Sequence, residues 1–146
     1  TKIMKIAKKH KLFVIEDCAQ AHFAEWNNKI THRLLDGANE ALVHLGIKKE
    51  NILVDPGIGF GKTNEQNTVL IQKASLIHSL GVPVLYGVSR KRFIGDIGGA
   101  QMPNERFPGS VAVALELIRQ GVQFIRVHDV KETKQAFDLW SAITIG

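Results

Sequence analysis

Gly81-Val82-Pro83-Val84-Leu85-Tyr86-Gly87-Val88 ends a stretch of helical period at a glycine and passes at once into an apolar burst. The same phrase recurs on both sides of it. Upstream, Gly46-Ile47 leads to Ile52-Leu53-Val54; downstream, Gly121-Val122 leads to Phe124-Ile125-Arg126-Val127. Glycine stops a helix because it takes the left-handed C-terminal conformation without a Cβ penalty. Each burst is nearly continuous in apolar residues rather than alternating, the pattern of a parallel strand covered on both faces. Helix, glycine, strand, repeated, is what stacked βα units produce. With a further burst at 12–15, the spacing predicts strands at 12–15, 52–54, 84–88 and 124–127. Helices are expected over 34–45, about 65–80, about 110–119 and 131–143.

Four parallel βα units in 146 residues make one α/β domain, residues 1–146. If the strands are laid down in order, the units form half of a (β/α)8 barrel, since a whole one needs about 250 residues. If the order reverses, they form an open flavodoxin-like sheet with helices on both faces. A half-barrel would expose its inner face and two strand edges, which favours a homodimer.

A hydrophobic content of 45% suits a soluble globular chain, and the formal charge of +5 favours an anionic ligand. Lys and Arg are interleaved with acids instead of gathered into a run, so nucleic acid is not the expected partner. Cys18 is the one cysteine. It allows no intramolecular disulfide and no paired-cysteine metal motif, as in a reducing cytoplasm. No apolar run approaches the roughly 18 residues of a membrane span, and the start shows no signal-peptide pattern. The expectation is a soluble cytoplasmic protein with no membrane partner.

Three loops that follow strands concentrate polar groups and glycine. The first, DPGIGFGKT (55–63), places Asp55 at a strand end, then glycines that let backbone approach a ligand, then Lys62. It is not a P-loop, because three residues rather than four separate Gly57 from Gly61. The plainer reading is a glycine turn with a solvated lysine. The second, GVSRKRFIG (87–95), sets Arg90, Lys91 and Arg92 beside a helix start, where the positive end of the dipole makes cations costly unless an anion faces them. A solvated basic face is the alternative, and fits Arg90 and Arg92 better than Lys91. The third, RVHD (126–129), puts Arg126 and His128 on one face of a strand by simple alternation. A guanidinium can stack on a flat ring and fork onto phosphate, and an imidazole can donate to an anion.

Together with RFPGS (106–110) and the continuation RVHDVKET (126–133), these motifs resemble the dihydropteroate synthase family over about residues 31–146. That family joins a pterin pyrophosphate ester to para-aminobenzoate. The resemblance implies that Asp55 bonds the pterin's amino-pyrimidine edge, that Gly59 and Phe60 line the pocket, and that Lys91 reaches a ring atom. It implies that Arg126 stacks on the pterin, that His128 lies near the pyrophosphate, and that Ser89 and Arg92 face the aminobenzoate. It also implies magnesium in the parent enzymes, with no cofactor held by this chain, and a pterin or phosphate-type small molecule as ligand.

Residues 1–29 read differently, as a helix and a strand. VIEDCAQAHF (14–23) resembles the pyridoxal-phosphate-dependent sugar aminotransferases, with Asp17 and Gln20 at matching positions and Phe23 where that family has glycine. No Schiff-base lysine motif accompanies it, so no pyridoxal phosphate site is expected. Two signatures in one chain suggest a chimera. Three functional expectations follow: a pterin-binding half-barrel with little or no turnover, a folded scaffold without ligand, or a synthase active when two copies complete a barrel.

Overall fold

The computed structural model describes residues 2–10, 25, 26, 29, 30, 39, 40, 42–44 and 46–144. The expected strand at 12–15, the aminotransferase-like residues Asp17, Cys18, Gln20 and Phe23, and much of the helix at 34–45 lie outside these.

The chain opens with helix α1 (Lys2–His10) and a short antiparallel pair, β1 (Glu25–Trp26) and β2 (Lys29–Ile30), that a purely parallel reading did not foresee. The later elements follow the βα rhythm: α2 (Asn64–Gln72), β3 (Leu85–Gly87), α3 (Arg92–Gly98), α4 (Phe107–Arg119), β4 (Phe124–Arg126) and α5 (Val130–Thr144). Gly46, Gly81 and Gly121, read as helix stops, take φ values of +85°, +67° and +85°. Among the described residues no helix is long and apolar enough to cross a membrane.

β3 and β4 pair in parallel, Leu85 opposite Phe124, Tyr86 opposite Ile125 and Gly87 opposite Arg126. The expected strand at 52–54 contributes a single parallel bridge, Val54 to Val84, sealed by Val54 N–H to the Pro83 carbonyl at 3.0 Å and Leu85 N–H to the Val54 carbonyl at 2.8 Å. The three parallel neighbours therefore lie side by side in chain order.

Their faces are not equivalent. Val84, Tyr86 and Val88 are fully buried, together with Val54, Leu70, Ala114 and Leu117, against the helical layer. Tyr86 closes its hydroxyl onto the Leu70 carbonyl at 3.1 Å. The other face is open among the described residues: Leu53 and Phe124 are each 50% exposed. This departs from strands covered on both sides but is the exposed inner face expected of a half-barrel. An open sheet with helices on both faces would bury these residues, whereas a barrel covers its inner face only with strands from across the barrel. The arrangement is that of a partial α/β barrel.

The helix expected over 65–80 also divides. Thr63 caps α2 with a reciprocal box, accepting the Gln66 N–H at 3.2 Å and giving its own N–H to the Gln66 side chain at 2.9 Å. After Gln72 the chain tightens into a 3-10 segment, Ala74–Leu80. Gln120 is the cause. Its side-chain amide donates to the Ile71 carbonyl at 2.8 Å and accepts the Ser75 N–H at 3.2 Å, inserting itself between the two groups that would otherwise form one rung of an α-helix.

Candidate functional site

The three polar loops all leave the same ends of the parallel strands. In the first, Asp55 turns one carboxylate oxygen onto the Gly57 N–H at 2.8 Å and presents the other to Arg126. The loop is held open by two residues behind it. Asn67, 2% exposed on α2, accepts the Gly59 N–H at 2.8 Å and donates to the Thr63 carbonyl at 2.9 Å. Lys62 donates from Nζ to the Gly57 carbonyl at 2.7 Å and the Phe60 carbonyl at 3.0 Å.

From the second loop, Lys91 runs across Gly59 and sets its ammonium 4.0 Å from the centre of the Phe60 ring. φ at Gly59 is +80°, which favours glycine, and a Cβ there would lie 2.8 Å from Lys91 Cδ and displace the lysine stem. Partial burial lowers the Lys91 pKa, Arg126 lowers it further, and Asp55 opposes both.

From the third loop, Arg126 lies across Gly87, its partner in the ladder; any Cβ on Gly87 would strike the guanidinium. Arg126 Nη2 stands 4.0 Å from Asp55 Oδ2. His128 has its Nδ1 3.0 Å from the Ser89 hydroxyl. Arg90 forks onto Asp129, Nε to Oδ2 at 3.2 Å and Nη2 to Oδ1 at 2.5 Å, and holds the Asp129 carboxyl below its ordinary pKa. Arg90 does this from a left-handed backbone, φ +57°, secured by its N–H to Ser110 Oγ at 2.8 Å and by Arg106 Nη1 on its carbonyl at 3.2 Å.

Gly87, Ser89, Lys91, Arg126 and His128 line an open cleft of about 580 Å³. Asp55, Gly59 and Phe60 join it through Arg126 and Lys91. Arg92 stands apart: its side chain is 90% exposed and sits 3.7 Å from Asp96 on the next turn of α3. Ser89 is buried with its hydroxyl turned to His128. Among the described residues no three His, Cys, Asp or Glu gather to hold a metal, and Asp129 is engaged by Arg90.

Sequence reasoning read Lys62 as a ligand-facing or solvated cation rather than a brace of its own loop, and missed Asn67 and Asp129 as parts of this architecture. Asn67 left one signal, an amide among the apolar residues of α2 that must find partners if buried. Asp129 left none, since its fork onto Arg90 depends on a left-handed residue that is not glycine.

The chain matches the family model described as "Pterin binding enzyme" over residues 3–128. It belongs to the pterin-binding enzyme family. The match runs through the stretch set apart above as aminotransferase-like. Among curated members of the family, the chain is 40% identical over 117 residues to the dihydropteroate synthase of Neisseria meningitidis serogroup B, covering 78% of this chain and 41% of that protein. It is 46% identical over 91 residues to the Escherichia coli K12 enzyme of the same name, covering 62% of this chain and 32% of that one. The pterin-binding family also supplies its structural neighbours. The Xanthomonas albilineans dihydropteroate synthase in complex with 7,8-dihydropteroate superposes with a TM-score of 0.75 at 42% identity, over 77% of this chain and 44% of that chain. The chain thus spans about a third to two fifths of the length of these curated relatives.

Burial pushes the Lys62 ammonium down from 10.5 to about 8, with Asp55 pulling upward and Lys91 adding to the fall. The folded chain therefore releases this proton earlier than the unfolded chain. Between pH 8 and 10.5 the unfolded state binds more protons, and stability rises with pH. Measured by urea midpoint against Lys62→Met, the parent should gain stability across that window and keep a constant offset below it. A difference that stays flat through the window contradicts the burial of Lys62.

Proposed function

We propose that this chain binds a pterin and a phosphate-type anion at the rim of a partial (β/α) barrel, as the carboxyl-side portion of a dihydropteroate synthase site. One observation carries the reading. Asp55, Lys91 and Arg126, from three separate crossover units, meet with Arg126 4.0 Å from Asp55 and Lys91 4.0 Å from the Phe60 ring. In this reading Asp55 accepts from the amino-pyrimidine edge, Gly59 and Phe60 wall the pocket, Lys91 donates to a ring heteroatom, and Arg126 covers the pterin face. His128 and the cations meet the anion. Charge building on a departing pyrophosphate would be stabilised chiefly by donors already in place.

The chain spans 41% or less of the curated relatives named above, and in this reading further groups that complete the pterin pocket and position the aromatic amine lie outside it. Catalysis depends on orientation to within about an ångström. Turnover by this chain alone is accordingly absent or very weak. Two copies meeting through the open inner face would supply an opposite rim, and light scattering of the purified chain decides whether they do.

The test is isothermal titration of the chain with a soluble pterin and, separately, with inorganic pyrophosphate at low ionic strength. Saturable one-site binding of the pterin is expected. No heat with either ligand would leave the folded scaffold as the better account.

A further inference from the structure

The parallel ladder stops at Gly87 and Arg126, yet its register continues in side chains. Ser89 meets His128 and Arg90 meets Asp129, each pair 39 positions apart like the last backbone rung. These two links tie the loop after β3 to the loop after β4.

The first link also constrains where a proton sits. Ser89 is 6% exposed, and its hydroxyl oxygen accepts the His128 backbone N–H at 3.2 Å. A hydroxyl carries one hydrogen to donate, and a buried hydroxyl whose hydrogen finds no acceptor is destabilising. Within reach at 3.0 Å stands His128 Nδ1. If the hydroxyl donates there, Nδ1 is the acceptor and the hydrogen of the neutral ring resides on Nε2. The imidazole itself is exposed and lines the cleft with Lys91 and Arg126.

We propose that Ser89 is a positioning residue that holds neutral His128 as the Nε2–H tautomer, so that the ring offers an N–H donor to a phosphate-type oxyanion in the cleft. The anion in this proposal rests on the proposed function above; the tautomer rests on the Ser89 contact alone.

The experiment uses the full chain labelled with 15N. Long-range imidazole 15N–1H correlations, recorded about two pH units above the usual histidine value of about 6.5, report which ring nitrogen carries the proton; His128→Gln assigns the signals. The parent should show Nε2–H. Ser89→Ala should show a larger Nδ1–H fraction than the parent, moving toward the mixture of an unconstrained ring, and Ser89→Thr, which keeps the hydroxyl, should retain the parent's proportions. Inorganic pyrophosphate should bind about threefold to tenfold more weakly to Ser89→Ala and near-normally to Ser89→Thr, the range expected for one hydrogen bond of ordinary strength. An Nδ1–H ring in the parent, or an unchanged ring in a folded Ser89→Ala, overturns the proposal. Should Ser89→Ala not fold, the parent and Ser89→Thr spectra decide it. A parent whose tautomer depends on Ser89 but which takes up no pyrophosphate refutes the anion and upholds the tautomer. A parent that binds pyrophosphate with a ring indifferent to Ser89 refutes this proposal and leaves the proposed function standing.

Discussion

Arg126→Ala and Lys91→Ala should each weaken pterin binding by roughly tenfold to a hundredfold, the range expected when a charge-assisted hydrogen bond or a cation-over-ring contact is removed. Neither should unfold the chain. Arg126 is 62% exposed at its side chain and faces Asp55 across 4.0 Å of partly solvated space, so its loss leaves no buried charge behind. Lys91 is half-buried, and the backbone hydrogen bond it makes, its carbonyl accepting the Ile94 N–H at 3.1 Å, does not involve the side chain; the stem covers Gly59 and the ammonium covers Phe60. Titration calorimetry on both variants, paired with thermal melts, separates binding from stability. If both bind as the parent does with unchanged melts, the pocket is placed wrongly.

Leu117→Ala should have the largest effect on stability, about 2–5 kcal/mol, because it deletes a fully buried side chain from the centre of the helix-to-sheet core and leaves a cavity. Domains of this size hold roughly 5–15 kcal/mol in reserve, so the loss is a large fraction of the whole. Guanidinium denaturation should show a lower midpoint with an unchanged slope. A shift worth under about 1 kcal/mol would mean that Leu117 does not sit where the packing puts it.

The βα rhythm was legible because glycine stops and apolar bursts are local signals, and the helices at 107–119 and 130–144 begin within a few residues of where the period placed them. The division of the helix after Gln72 was not legible, since its cause is Gln120, nearly fifty residues away in sequence. The apolar bursts alone did not choose between the half-barrel, whose inner face was expected to be exposed, and a sheet covered on both sides. Apolar bursts state that both faces avoid water in the finished fold, whereas Leu53 and Phe124 show one face bare among the described residues. At the site, Asp55, Lys91, Arg126 and His128 could be singled out because they are polar at the ends of apolar strands. The groups that hold them, Asn67 and Asp129, act through contacts that no spacing reveals.

Side chains on a strand alternate, so sliding β4 by a single step against β3 would turn every one of its side chains to the other layer. The guanidinium and imidazole would then point among the helices, and an isoleucine would occupy the mouth of the cleft. Ligand affinity in this protein is therefore a gauge of strand alignment as well as of chemistry. Any change that lets the two strands creep past one another, however far from the mouth, should be felt first as lost binding, before a melting curve records it.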